Sequence, residues 1–333
     1  MQPSPITSGL SIARTTAARS AVRLNEPPTP LRLTSITSRQ RGNRVHIVRY
    51  QRHDDPHPRI GVVNDGVLSA LPVAGMFELL QHRKEEIEGI CADAAPACSL
   101  SEVRLLAPVD GVMEVWASGV TYLRSRDARV EESALKSVYE LVYDAERPEL
   151  FFKSPAWRVV VDGEPVGIRS DSELNVPEPE LALVVNRFEE IVGYVVCNDM
   201  SSRSVEGENP LYLPQAKLYA GACALSPGIR PAWEVDASDL TIRLTVTRKG
   251  AVIWDGTTST RQIRRPFSWL TAYLFHSENH PHGVVLSTGT GIVPDLDFRL
   301  HAGDLISVTI DEIGELHNPV VVGKDHFHFL RTP

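Results

Sequence analysis

The residues best suited to chemistry lie in the stretch NVPEPELALVVN, Asn175 to Asn186. Glu178 and Glu180 sit two residues apart and run straight into an apolar, β-branched segment. If that segment is a strand, alternation puts both carboxylates on one face. They repel each other there, and burying either one unpaired costs on the order of several kcal/mol, comparable with the stability of a whole domain. A divalent cation compensates most directly. Hard Mg²⁺, with Mn²⁺ or Ca²⁺ as alternatives, prefers carboxylate oxygen. The next apolar run, EIVGYVVCND, stops at Asn198 and Asp199, so Asp199 supplies a third oxygen ligand if the two strands pair. Other readings compete. Charged residues blunt sheet edges, and Pro177 and Pro179 fit an edge. Asp199 also suits a turn or a helix N-cap.

Two lysines stand in apolar surroundings, Lys153 at the end of ELFFK and Lys217 in LPQAKLYAGACAL. Lysine is rarely buried without a partner. Three carboxylates and two such lysines make a compensated polar centre, in which a lysine binds a substrate carboxylate or moves protons once its pKa is lowered. Singly, each lysine also fits a stem that snorkels from a half-buried strand. STGTGIVP, Ser287 to Pro294, offers backbone N–H groups and the Thr290 hydroxyl to an anion, although a plain turn has the same composition. A rival metal site would draw on His276, His280 and His282 in HSENHPHG and on His326 and His328 in DHFHF. Both stretches lie near turns, so these histidines read as solvent-facing.

Such residues need elements to position them. Thr121 to about Ala145 reads as a helix. Its second half carries an apolar stripe through Leu135, Val138, Leu141 and Val142. In its first half Tyr122, Ser125, Arg129 and Glu132 fall at i, i+3, i+7 and i+10 and share one polar face, which meets either water or the polar centre. Gly75 to Ile90 has helical periodicity, and RPFSWLTAYLFHS is a further helix. The remaining segments are short strands between Gly and Pro turns, among them LTIRLTVTRKG, AVIWDGTTST, VVLSTGTGIVP, DLISVTIDEIG and NPVVVG. Few helices among many strands predict an α+β fold dominated by antiparallel pairing. The chain divides into a flexible N-terminal tail over 1–42, a small β-rich domain over 43–102 and a catalytic domain over 103–333.

The composition bounds the function. The chain has 333 residues, 42% of them hydrophobic and 23% charged, enough for a sizeable core without staples. A net charge of -8 argues against nucleic-acid and anionic-membrane partners. No apolar run approaches the ~20 residues that span a bilayer. Cys91, Cys98, Cys197 and Cys223 form no C-x-x-C and match no disulfide framework, so they read as reduced thiols of a cytoplasmic-type compartment. The first 25 residues lack acids and carry three arginines, a composition shared by organelle transit peptides. A tail or an over-extended start fits them as well.

The motifs VPEPELALVV, GYVVCNDMSSR, QAKLYAGACALSPGI and STGTGIVP, in this order, resemble the fumarylacetoacetate hydrolase superfamily. The resemblance covers most of 105–323. It implies a mixed β-sandwich roll, like that family's C-terminal domain, in a homodimer or homotetramer. It also implies a metal site at Glu178, Glu180 and Asp199, with Lys217 in a strand after the aspartate motif and Lys153 in the FxK stretch. Arg203 falls on the arginine of the NDxSxR segment, and Thr290 falls on the threonine of the Gly-Thr motif. One departure bears on the reaction. Superfamily hydrolases that cut acylpyruvates carry a His and a Glu on a lid helix, where this chain has Ser125 and Ala128. That leaves C–C hydrolysis without its general base. GVTYLRSRDARVEES and EGENPLYLPQAK instead resemble the branch of 2-keto-3-deoxy sugar-acid dehydratases. The implied activity is Mg²⁺-dependent dehydration of a small-molecule 2-keto acid, such as 2-keto-3-deoxy-arabonate or -xylonate. Acylpyruvate hydrolysis or oxaloacetate decarboxylation at the same metal is the alternative. Lys217 is then the C3 proton acceptor or enolate stabiliser. Glu132, with Glu131 as competitor, is the acid for the leaving hydroxyl. Lys153, Ser125 and Thr290 contact the substrate, and Tyr122, Arg129 and Arg203 line the site.

Overall fold

In the computed structural model the described residues are 44–132 and 141–331. They form two principal sheets, one of twelve strands and one of five. The strands that matter here are β1 (His46–Arg52), β2 (Arg59–Asn64), β3 (Glu114–Gly119), β4 (Glu149–Pro155), β5 (Pro179–Val185), β6 (Ile191–Asp199), β7 (Gly228–Pro231), β8 (Thr241–Arg248), β9 (Ala251–Ser259), β10 (Val284–Ser287), β11 (Leu305–Ile310) and β12 (Gly314–Val322). In the large sheet neighbours run β2-β1-β7-β6-β5-β10-β3-β4. Pairing along this path is antiparallel except for β10 beside β3. The smaller sheet runs β9-β8-β11-β12 and ends on Val166–Ile168. This is the strand-rich α+β architecture that the sequence predicts.

Strand β5 explains why an apolar run follows the two glutamates. Leu181, Leu183 and Val185 point toward the small sheet and pack in one core with Ile242, Leu244 and Val246 of β8 and Ile306 and Val308 of β11. Ala182 and Val184 point the other way, into a second core with Met76, Leu79, Leu80 and Ile87. A strand covered on both faces reads as a continuous hydrophobic run. β5 is also interior, between β6 and β10, so the edge-strand reading of Glu178 and Glu180 is overturned. Pro179 is tolerated because β10 begins its pairing with β5 only at Ala182.

The N-terminal strands continue the large sheet. β1 pairs with β7 through Ile47 and Ile229, and with β2 on its other side. The segment Gly75–Ile90 is two helices, Met76–Leu79 and α1 (Lys84–Ala92), rather than one. A new N-terminus starts at Arg83, where Arg83 N–H donates to Glu86 Oε2 at 2.7 Å and Lys84 N–H donates to Glu190 Oε2 at 2.9 Å. α2 (Leu123–Glu132) forms the first part of the long helix expected from Thr121; Leu135 and Val138 of its apolar stripe lie outside the described residues. α3 (Arg203–Glu208) and α4 (Leu213–Lys217) follow β6, and α5 (Phe267–Phe275) matches the helix read from RPFSWLTAYLFHS. No described helix is long and apolar enough to cross a membrane.

Candidate metal centre and active site

Antiparallel pairing of β5 with β6 builds the centre. Glu180 lies opposite Cys197 and Pro179 opposite Asn198, so the start of β5 meets the end of β6. The Asp199 N–H donates to the Glu178 carbonyl at 2.9 Å and fixes the two ends together. Glu178, Glu180 and Asp199, all buried, each offer one oxygen within 4.8 Å of the others. Among the described residues this is the one group of three or more metal-ligating side chains so placed. The histidines do not join in a site. His276, His326 and His328 are exposed as expected. His280 is buried, its ring packed edge-on against Phe275 and Trp116 at 4.9 and 6.3 Å, which corrects the solvent-facing reading for that residue.

Cations surround two of the three carboxylates. Lys217 Nζ lies 2.9 Å from Glu178 Oε2 and 2.9 Å from Asp199 Oδ2, and donates to Ser201 Oγ. Arg203 and Arg129 reach Glu178 Oε1 at 2.8 and 3.1 Å. Burial alone would raise the Glu178 pKa, but Lys217 and Arg129 outweigh it and hold the carboxyl at about 2. Burial would likewise lower the Lys217 pKa, yet Asp199, Glu178 and Glu206 push it above the usual lysine range. Lys217 is therefore a fixed positive charge. It ends the one-turn helix α4 rather than lying in a strand, because Pro214 in the first turn suits a helix start and removes a donor that a strand would need.

Glu180 differs from its neighbours. Its Oε2 accepts hydrogen bonds from the Ser287 hydroxyl at 2.5 Å and from Gly289 N–H at 2.8 Å. No cationic side chain lies within 4.0 Å of it among the described residues. Burial, then Asp199, push its pKa well above the ordinary carboxylate value. A buried carboxylate beside two others, held by neutral donors and lacking a counter-ion, is where a hard cation fits, and three carboxylate oxygens are the donor set that Mg²⁺ selects. The Gly-Thr loop contributes as an anion cradle, but the anion is Glu180 itself. Thr290 Oγ1 accepts from Ile292 N–H at 3.1 Å and so shapes its own turn.

Lys153 is buried at 1% exposure, and its ammonium group is fully occupied. It reaches the carbonyls of Met200 at 2.9 Å and Lys217 at 2.8 Å, and Asp199 Oδ1. It ties the end of β6 to the end of α4 and so aims Asp199 and Lys217. From α2 and the residue before it the structure brings Tyr122, Ser125 and Arg129 inward, buried at 1%, 3% and 6%. Among the described residues the Tyr122 hydroxyl has no hydrogen-bond partner, and burial, then Glu180, push its pKa up. Glu131 and Glu132 are helical, but their side chains lie outside those described.

Two acids carry no mark in the sequence pattern that led to the triad. Glu149 opens β4 on the face that carries Phe151 and Lys153, and its carboxyl lies against Gly119, where a Cβ has no room. Burial and Glu206 push it up to about 7, against the pull of Arg129 and Lys217. Glu206 lies one turn after Arg203 on α3, 3% exposed, with Oε1 3.0 Å from Arg129 Nε. Each has a weaker signal of its own: Glu149 shares the two-residue period of Lys153, and Glu206 the i, i+3 face of Arg203.

A mixed sheet roll that carries three converging carboxylates and a charged lysine defines a metal-dependent enzyme scaffold. Residues 115–321 match the family model of the fumarylacetoacetate (FAA) hydrolase C-terminal domain, and the chain belongs to that family. It is 48% identical over 214 residues to a probable 2-keto-3-deoxyxylonate dehydratase of Haloferax volcanii, covering 64% of this chain and 73% of the relative. It is 42% identical over 226 residues to the 2-dehydro-3-deoxy-D-arabinonate dehydratase of Saccharolobus solfataricus, covering 66% of this chain and 76% of that one. Among solved structures, a 2-keto-3-deoxy-D-arabinonate dehydratase complexed with magnesium and 2,5-dioxopentanoate superposes with a TM-score of 0.74 at 35% identity, over 84% of this chain and 100% of the other.

Proposed function

We propose that this chain is a Mg²⁺-dependent hydro-lyase. It dehydrates a 2-keto-3-deoxy sugar acid, arabonate or xylonate, to α-ketoglutarate semialdehyde in sugar-acid catabolism. The observation that carries the reading is the buried Glu178, Glu180 and Asp199 triad beside Lys217, on a chain 48% and 42% identical to two dehydratases of this class. Glu178, Glu180 and Asp199 would hold Mg²⁺, which would supply a Lewis acid for the negative charge that develops on a 2-keto acid.

The chain's own residues then divide the work. Lys217, held charged, stabilises the negative charge that develops on the keto oxygen as C3 loses its proton; its charge supports this role over that of proton acceptor. Glu149, with a pKa near neutrality, takes the C3 proton. As C3=C4 forms, the C4–O bond breaks and Glu149 returns the proton to the departing hydroxyl, which leaves as water. Tautomerisation of the resulting enone gives the aldehyde. Glu132, with Glu131 beside it, is the alternative acid from α2. Tyr122, Ser125, Arg129 and Arg203 bind the substrate, Thr290 orders the loop below it, and Lys153 aims the two groups it joins. We place the enzyme in the cytoplasm as a homodimer or homotetramer, a reading supported by four free cysteines and by the family resemblance.

Ser125 and Ala128 occupy the inner face of α2, so the alternative hydrolase chemistry has no His–Glu pair there. Incubating the protein with 2-keto-3-deoxy-arabonate or -xylonate and Mg²⁺ should release an aldehyde, and EDTA should stop it. Faster pyruvate release from an acylpyruvate or oxaloacetate would overturn the reading.

A further inference from the structure

One buried carboxylate oxygen in the centre has neither a hydrogen bond nor an ion pair among the described residues. Glu206 Oε1 pairs with Arg129, but Glu206 Oε2 is buried and accepts no hydrogen bond from them. Buried carboxylate oxygens are almost always bonded, and one left without a donor costs on the order of 1–3 kcal/mol. The neighbouring carboxylate oxygens are held: both of Glu178, Oδ2 of Asp199 and Oε2 of Glu180 accept hydrogen bonds, and Asp199 Oδ1 is ion-paired with Lys153. The orphan oxygen lies beside the metal centre, because one guanidinium, that of Arg129, spans Glu178 Oε1 at 3.1 Å and Glu206 Oε1 at 3.0 Å.

We infer that Glu206 recognises the terminal hydroxyl of the substrate and so selects a hydroxylated 2-keto acid over an unsubstituted one. The assignment rests on the dehydratase reading. It separates the two hydroxyls by their chemistry. The C4 hydroxyl must receive a proton to leave, which requires a donor. The C5 hydroxyl stays through the elimination and offers an O–H, which requires an acceptor. A carboxylate whose other oxygen is paired with arginine is an acceptor, and it sits where no described group of the protein uses it. With its C1 end at the triad, such an acid would carry its C5 hydroxyl toward Glu206, the other carboxylate that Arg129 holds.

The test uses two keto acids that cannot dehydrate because they lack the C4 hydroxyl, 5-hydroxy-2-oxopentanoate and 2-oxopentanoate. Their dissociation constants are measured by calorimetry on the Mg²⁺-loaded protein. A hydrogen bond to a charged acceptor predicts that the wild type prefers the hydroxylated acid by roughly 10- to 100-fold. Glu206→Ala should bring that ratio close to one. Glu206→Gln, which keeps size and an acceptor for Arg129, should reduce it to about one-third or less of the wild-type ratio, and it decides the question if the alanine variant fails to fold. Equal binding of both acids by the wild type, or an unchanged ratio in either variant, overturns the assignment while leaving the keto-acid reading in place. Binding of neither acid with Mg²⁺ present removes that reading, and the assignment with it.

Discussion

Glu149 carries the strongest single-residue prediction. Burial and the neighbouring Glu206 push its carboxyl up to about 7, so near neutral pH it is close to half protonated and can both take and return a proton. Glu149→Gln keeps the volume and removes the titration. We expect kcat to fall about 100- to 1000-fold and the limb of the kcat/KM profile near pH 7 to disappear, measured as aldehyde release across the neutral range. A variant within threefold of wild type, with its limb intact, would move the proton transfer to Glu131 or Glu132. At this scale the clustering of Glu178, Glu180 and Asp199 was legible in the sequence and these acids were not. Glu178, Glu180 and Asp199 stand at the ends of two apolar runs, where alternation and pairing leave few arrangements. Glu149 and Glu206 are isolated acids among many, and only tertiary packing shows that they turn inward. The burial of Lys153 was legible, but its full set of partners was not, since two of the three are backbone carbonyls that no side-chain pattern records.

Among the elements, strands were the more legible part, because a two-residue period and Gly or Pro punctuation survive in a single sequence. The break between Leu79 and Lys84 was hidden, since it depends on Glu190, more than a hundred residues away. Two histidines now report how elements are joined. His46 in β1 contacts the Ile313 carbonyl at 3.0 Å, tying the large sheet to the turn between β11 and β12. Burial lowers its pKa, with Arg230 and Arg44 adding to the effect, so the folded state binds fewer protons than the unfolded one. Its contribution is complete above the unfolded value of 6.5 and is lost as pH falls below it toward the lower folded value. His317 in β12 behaves oppositely. The Asp162 hydrogen bond raises its pKa, with Glu315 adding to it, so its contribution is complete below 6.5 and lost as pH rises through the folded value. The unfolding midpoints of His46→Gln and His317→Asn should therefore converge on wild type at opposite ends of a series from about pH 5 to pH 8. Parallel curves for either variant would show that its histidine does not titrate differently on folding.

For the whole molecule, the triad proposed to serve the reaction is a burden on the fold until a cation arrives. Glu180 lies in a fully buried strand of the large sheet, between two cores, with neutral donors and, among the described residues, no counter-ion. Metal binding to the folded state stabilises it by mass action, about 2.7 kcal/mol at a concentration 100 times the Kd. For a chain of this size we expect Mg²⁺ to raise Tm by roughly 4 °C over EDTA-treated protein. Glu180→Gln sharpens the prediction because its two effects have opposite signs. The amide oxygen can still accept from Ser287 and Gly289, and the buried charge is gone. Without metal the variant should unfold at a Tm equal to or above that of wild type, whereas its Mg²⁺-induced rise should be lost. A purely structural glutamate would give the reverse pattern, a lower Tm in EDTA with the Mg²⁺ response retained. Scanning calorimetry of both proteins, with and without Mg²⁺, distinguishes a carboxylate kept for the cation from one kept for the sheet.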